Sequence, residues 1–144
     1  MTIRETAVNA LLTKLTGLGL FTIIGRRNVS PETIATPNNP ALLLLTHHEN
    51  YVRLDFAQPP KRTLTVMAVV YIDTGTDENA VPDTVLNTLQ DAIDGALSAD
   101  DRSTGRCTLG GVVFSAHIKG EVVRAPGDKT GKGLAVIPIE LVLP

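Results

Sequence analysis

The residues best suited to chemistry in this 144-residue chain are three histidines, one cysteine, a run of acids between Asp73 and Asp83, and the loop Gly127-Asp128-Lys129-Thr130-Gly131-Lys132-Gly133. A phosphate-binding loop needs four residues between its glycines, then Lys, then Ser or Thr opening a helix, because backbone N–H groups and the helix N-terminus cradle the phosphate. Here three residues separate Gly127 from Gly131, Lys132 precedes Gly133, and a strand pattern follows. The stretch reads as a solvated hairpin tip whose glycines supply the turn. His47 and His48 are adjacent, and neighbours on a strand point to opposite faces, which separates them as ligands of one metal. His117 belongs to the polar side of a distant strand, so the histidines read as surface residues at strand ends and not as a zinc site. Cys107 could serve as nucleophile with His117 as base, but nothing beside it would activate a thiol, and it reads as a small structural residue. Asp73, Asp77, Glu78 and Asp83 lack calcium-loop spacing and the terminal glutamate of that motif. The basic pairs Arg26-Arg27 and Lys61-Arg62 suit salt bridges to a partner subunit better than a nucleic-acid stripe, which would need aromatic platforms. No constellation specifies catalysis, and no cofactor or metal is expected.

Composition narrows the classes further. A mass of 15.3 kDa with 43% hydrophobic and 19% charged residues fits one domain spanning 1–144, able to bury about 68–70% of its unfolded surface. The net charge of −2 and pI near 5.9 argue against a dedicated nucleic-acid or anionic-membrane binder. A single cysteine makes no internal disulfide, the N-terminal segment is amphipathic and not a secretory signal, and no apolar run approaches the roughly 20 residues that span a bilayer. A cytosolic, soluble protein is expected. Only five residues are aromatic (Phe21, Tyr51, Phe56, Tyr71, Phe114), so the core is expected to be aliphatic. Interfaces lean on aromatic anchors, and their scarcity implies that subunit contacts would be aliphatic and ionic.

The elements that must position these residues follow from periodicity. Thr2 and Glu5 have capping-box spacing, and Ile3, Ala7, Leu11, Leu15 and Leu18 recur at intervals of three and four, predicting a helix over 2–16 that Gly17 and Gly19 end. Residues 20–24 read as a short strand and 28–40 as loop. Ala41 to Thr46 predicts a strand buried on both faces, and Thr63 to Ile72 a central strand. A helix from Pro82-Asp83 to about Ser98, capped or favoured by Asp83, carries the stripe Val85, Leu86, Leu89, Ile93 and Leu97. After a polar linker, 112–124 and 134–143 read as a β-hairpin, with Phe114, Ala116, Ile118, Gly120 and Val122 on one face. Pro138 places the last strand, or its middle, at a sheet edge or bulge. The fold class is α+β: two helices packed on a mostly antiparallel four- to five-stranded sheet, with a C-terminal β-hairpin.

The order and spacing of these pieces resemble the tail terminator, or tail completion, proteins of long-tailed bacteriophages, related to the lambdoid minor tail protein U. The resemblance rests on IRETAVNALLTKL, NNPALLLLTHHENY, PPKRTLTVMAVVYI, VPDTVLNTLQDAIDGAL and the closing GGVVFSAHIKGEVVRAPGDKTGKGLAVIPIELVLP, and covers nearly the whole chain. It implies a virion structural protein at the head-proximal end of the tail, assembled in the host cytoplasm. Such a protein forms a homo-oligomeric ring, usually of six subunits, on the tail tube protein, stops tube polymerisation, and meets the head-tail connector. DNA passes through the lumen without readout, and no membrane is involved. A neck or head-completion protein is the alternative within the virion; a small ligand- or metal-binding domain using His47, His48 or His117 is the alternative outside it. The family has no residue signature. From exposure and chemistry alone, Arg26, Arg27, His47, His48, Glu49 and Arg53 are candidates for subunit or tail-tube contacts, with Asp128, Lys129 and Lys132 at the hairpin tip.

Overall fold

In the computed structural model, which describes residues 2–27, 40–75, 79–125 and 131–144, the two aliphatic runs become long neighbouring strands. They are β2 (Ala41–Val52) and β3 (Lys61–Asp73), preceded by α1 (Ile3–Thr16) and β1 (Ile23–Gly25) and followed by α2 (Pro82–Ala96), β4 (Ser115–Ile118), β5 (Val123–Ala125) and β6 (Lys132–Val142). The strand order is β1-β2-β3-β6-β4, with β5 also on β6; only β1 and β2 run parallel. The α+β class holds, with six strands in place of four or five.

Alternation on the long strands builds the core. Leu42 and Leu44 of β2, Val66, Ala68 and Val70 of β3, and Ile137, Ile139 and Leu141 of β6 point to one face, where they join Ala7, Val8, Leu11 and Leu15 of α1 and Leu86, Leu89 and Ile93 of α2. No aromatic residue is among the buried ones, so the core is aliphatic as composition required. Three of the five aromatics are instead among the exposed residues: Tyr51, Phe56 and Phe114.

Helix ends follow local chemistry. Thr2 Oγ1 accepts the Glu5 N–H at 3.1 Å, the expected cap. Gly17 has an ordinary helical φ, and it is Gly19, at φ +67°, that turns the chain away. In α2, Val81 holds the cap position without a side-chain bond and Pro82 opens the helix; Asp83 sits in the first turn beside the positive dipole end and caps nothing.

Three expectations need correcting. β2 does not stop at Thr46 but runs on through His47-His48-Glu49-Asn50 to Val52. The first arm of the closing hairpin is two short strands, because Gly120 at φ +107° breaks it between β4 and β5. Its alternation also fails at the start: Val113 is buried and Phe114 exposed, since 109–114 form a turn and not strand. Finally, β6 is an interior strand, paired with β3 on one side and with β4 and β5 on the other. Pro138 is tolerated there because its carbonyl accepts Lys119 N–H at 3.1 Å, so its missing N–H points toward the same side, into the break between β4 and β5.

Ile137 lies at the centre of this sheet with no exposed surface. Ile137→Ala is expected to lower the unfolding free energy by about 2–5 kcal/mol, read from urea denaturation; a loss below the Ile→Val scale of about 0.5 kcal/mol would contradict this placement.

Candidate functional site

One irregularity in β2 organises the candidate residues. Thr46 pairs with Val66 and His48 with Thr65, so His47 is an extra residue, a β-bulge. The bulge exchanges the faces of everything after it. Glu49 and Tyr51 come to the helix side, where Arg4 of α1 grips Glu49 through Nε–Oε1 at 2.7 Å and Nη2–Oε2 at 3.0 Å and donates to the Tyr51 hydroxyl at 2.7 Å. The paired Arg4 guanidinium holds the Glu49 carboxyl below its ordinary range. Glu49 is therefore bound up within the chain. Arg26 is as well: it donates to Glu5 Oε2 at 2.8 Å and Asn9 Oδ1 at 3.2 Å, fastening β1 to α1.

His47 and His48 do not diverge as adjacent strand residues should. The bulge brings their Nδ1 atoms to 2.6 Å with the rings edge-on, one donating and the other accepting. Both are exposed. His48 lies on the second sheet face in register with Thr65, which is opposite Glu140, which is opposite His117, forming a polar row across four strands. His117 Nε2 is 3.3 Å from Glu140 Oε1 and Lys119 Nζ 3.6 Å from Oε2. Three strand spacings, about 14 Å, separate His48 from His117. Among the described residues no group of three or more His, Cys, Asp or Glu is arranged to hold a metal.

Cys107, Ser115 and His117 line a cleft of about 330 Å³ with Arg106. Ser115 Oγ lies 3.4 Å from His117 Nδ1, beyond the reach of a formed nucleophile–base bond. The backbone donors on either side of Ser115 are committed, Phe114 N–H to Val142 O and Ala116 N–H to Cys107 O, both at 2.8 Å. Neither is free to hold an oxyanion.

Arg53 leads to a feature the sequence reading passed over. Between β2 and β3 the chain forms an arm tipped by Leu54 and Phe56, 96% and 92% exposed. The tip is held, not loose: Asp55 Oδ1 accepts Ala57 N–H at 3.0 Å, Asp55 O accepts Gln58 N–H at 3.2 Å, and Arg53 reaches Gln58 O at 3.3 Å while its guanidinium faces the Phe56 ring at 5.9 Å. Two large apolar side chains interleaved with Arg53 and Asp55, just before Pro59-Pro60, were the available signal: apolar residues in a turn that have no core to enter. Lys61 and Arg62 stand at the base of the arm, Arg62 over Tyr51 at 5.9 Å. Arg27 is exposed after β1, and Lys132 is exposed opposite Asp73 at the start of β6. Asp128 and Lys129 lie outside the described residues, as do Asp77 and Glu78.

The polar linker after α2 is likewise more ordered than its composition suggests. Asp100 accepts Thr108 N–H and Oγ1–H at 2.8 Å and Gly110 N–H at 3.0 Å, holding a turn in which Leu109 takes φ +51°. These bonds fix the chain as it enters β4.

No protein-family profile matches the chain, and no curated protein matches it. Among solved structures, a chain of the virion of a native gene transfer agent particle superposes with a TM-score of 0.49 at 10% identity, over 97% of this chain and 90% of that one. No role is transferred from that likeness.

The backbone and hydroxyl donors around Asp100 hold its carboxyl at about 2, below the ordinary 3.8. A carboxyl whose folded value is lower contributes stability that is complete above about pH 4 and is lost as pH falls toward 2. Asp100→Asn should therefore melt below the parent protein at pH 6, with the difference shrinking toward pH 2. A pH-independent difference in thermal melts would contradict this role.

Proposed function

We propose that the chain is a structural subunit of a bacteriophage tail, of the tail-terminator kind: a ring, usually of six copies, that caps the tail tube, ends tube polymerisation and offers the surface on which the head docks. The observation that carries this reading is the ordered arm with Leu54 and Phe56 almost wholly in solvent. Two large apolar side chains held outward contribute nothing to the subunit's own core, and exposed apolar surface of this kind marks a contact with another protein. The resemblance in element order supplies the kind of assembly.

The remaining surface is compatible with that role. A closed ring needs two different complementary faces per subunit, one for each neighbour. The arm offers one, and Arg53, Lys61 and Arg62 give it a basic character in a chain whose net charge is −2. His47, His48, Arg27 and Lys132 are exposed and available for tube or neighbour contacts. Arg26 and Glu49 act within the subunit by holding α1 to the sheet edge and to the bulged strand. A mildly negative subunit would not trap DNA in transit through a lumen.

Electron microscopy tests this directly. The purified protein, alone or with tail tubes, should form rings with a central hole wide enough for duplex DNA, and particles made without it should carry overlong or headless tails. Tails of normal length joined to heads in its absence would refute the proposal. Filled heads that leak DNA beside normal tails would favour a neck protein.

A further inference from the structure

The arm tip has a complementary surface elsewhere on the same molecule. Between the C-terminal ends of α1 and α2 lies an open groove of about 510 Å³, lined by Lys14, Gly17, Leu18, Ala92, Gly95 and Ala96. Its walls are small and largely apolar, with room for an aromatic ring. Asp91 is exposed on α2 one turn before Gly95, on that residue's side of the helix, and no ion pair involves it among the described residues. Both helices end here, so their partly negative dipole ends converge, and α2 carries no basic residue in its last turn to offset its own. Lys14 is the one cation on the lining.

The tip presents Leu54 and Phe56 with Arg53 and Asp55, and Lys61 and Arg62 stand behind them. Arg4, Arg26, Arg106 and Arg124 are all matched to carboxylates within the chain, whereas Arg53 and Lys61 form no ion pair among the described residues. The tip therefore sets Arg53 and Asp55 beside two apolar side chains, and the groove sets Asp91 and Lys14 beside small apolar walls, opposite charges that can pair across a contact.

Subunit geometry keeps the two apart. Arg4 holds Tyr51 at the base of the arm, and the groove lies at the other end of α1, about 20 Å along the helix. The exposure of Leu54 and Phe56 shows that the tip does not fill the groove of its own chain. Joined between copies, knob and groove make a heterologous, head-to-tail contact, the kind that closes into a ring when the rotation allows.

We infer that the occupant of the α1/α2 groove is the β2–β3 arm tip of a second copy of this chain, with Phe56 and Leu54 seated between the helix ends, Arg53 against Asp91 and Asp55 against Lys14. This names the subunit contact of the ring proposed above and rests on that reading.

The test introduces thiols at both ends of the contact while leaving the apolar anchors in place, Ala57→Cys with Gly95→Cys. Cys107 is buried and serves as background, and nothing lies within 4 Å of a Cβ built on Gly95. Under mild oxidation, at concentrations where the parent protein sediments as an oligomer, the double variant should give a ladder of covalent multimers on non-reducing gels. Each single variant should give no species beyond a dimer. Gly95→Trp, which fills the groove from outside, should keep the parent's melting temperature while weakening self-association at least tenfold. An oligomeric parent whose double variant gives no ladder, and whose Gly95→Trp form associates normally, would overturn this contact and leave the ring standing. A parent that remains monomeric up to its solubility limit, with and without tail tubes, would overturn both.

Discussion

The single extra residue in β2 is the constraint on which the arrangement of surfaces depends. Upstream of His47 the strand delivers Leu42 and Leu44 to the core; downstream, the same alternation without a bulge would deliver His48 and Asn50 to the helix side and leave Glu49 and Tyr51 on the other. The bulge reverses this. Glu49 meets Arg4, Tyr51 joins it, and α1 is tied to the strand at the point where β2 leaves the sheet to form the arm. A slip of one residue in a strand exchanges its faces entirely; here one inserted residue does so for half a strand, letting an aliphatic core segment and a polar projecting segment share one continuous element.

Energetically, the molecule divides its side chains by location. Aliphatic residues fill the space between sheet and helices, and interiors at crystal-like density exact several kcal/mol for each large side chain truncated. The ion pairs at the margin are part-exposed and individually worth little, but they set direction: Arg26 fixes β1 to α1, and Arg124 reaches from β5 to Asp83, Asn87 and Gln90 of α2. Aromatic residues are kept for the surface. Their scarcity suggested contacts made of aliphatic and ionic groups alone. Phe56, Tyr51 and Phe114 are exposed, two of them in or beside the arm.

Much of the fold was legible from periodicity. The N-cap at Thr2, the buried stripe of α2 and the two aliphatic strands are strong local patterns with one satisfactory solution. What escaped was non-local. The bulge depends on how Thr46 and His48 register against β3, the interior place of Pro138 on a gap between two neighbouring strands, and the Asp100 turn on donors eight and ten residues away. Of the candidate site residues, Arg53 lies on the arm, whose tip residues Leu54 and Phe56 took their meaning only from their exposure. Glu49 and Arg26 have the chemistry of interface residues yet are engaged within the chain.

The central claim is that the arm exists for a partner and not for the subunit's own stability. Sedimentation velocity over a concentration series, comparing the parent chain with a Leu54→Ser, Phe56→Ser variant, tests it most directly. The account predicts a parent that shifts toward a ring-sized species as concentration rises and a variant that stays monomeric. Identical sedimentation of the two, with the parent assembled, would contradict it.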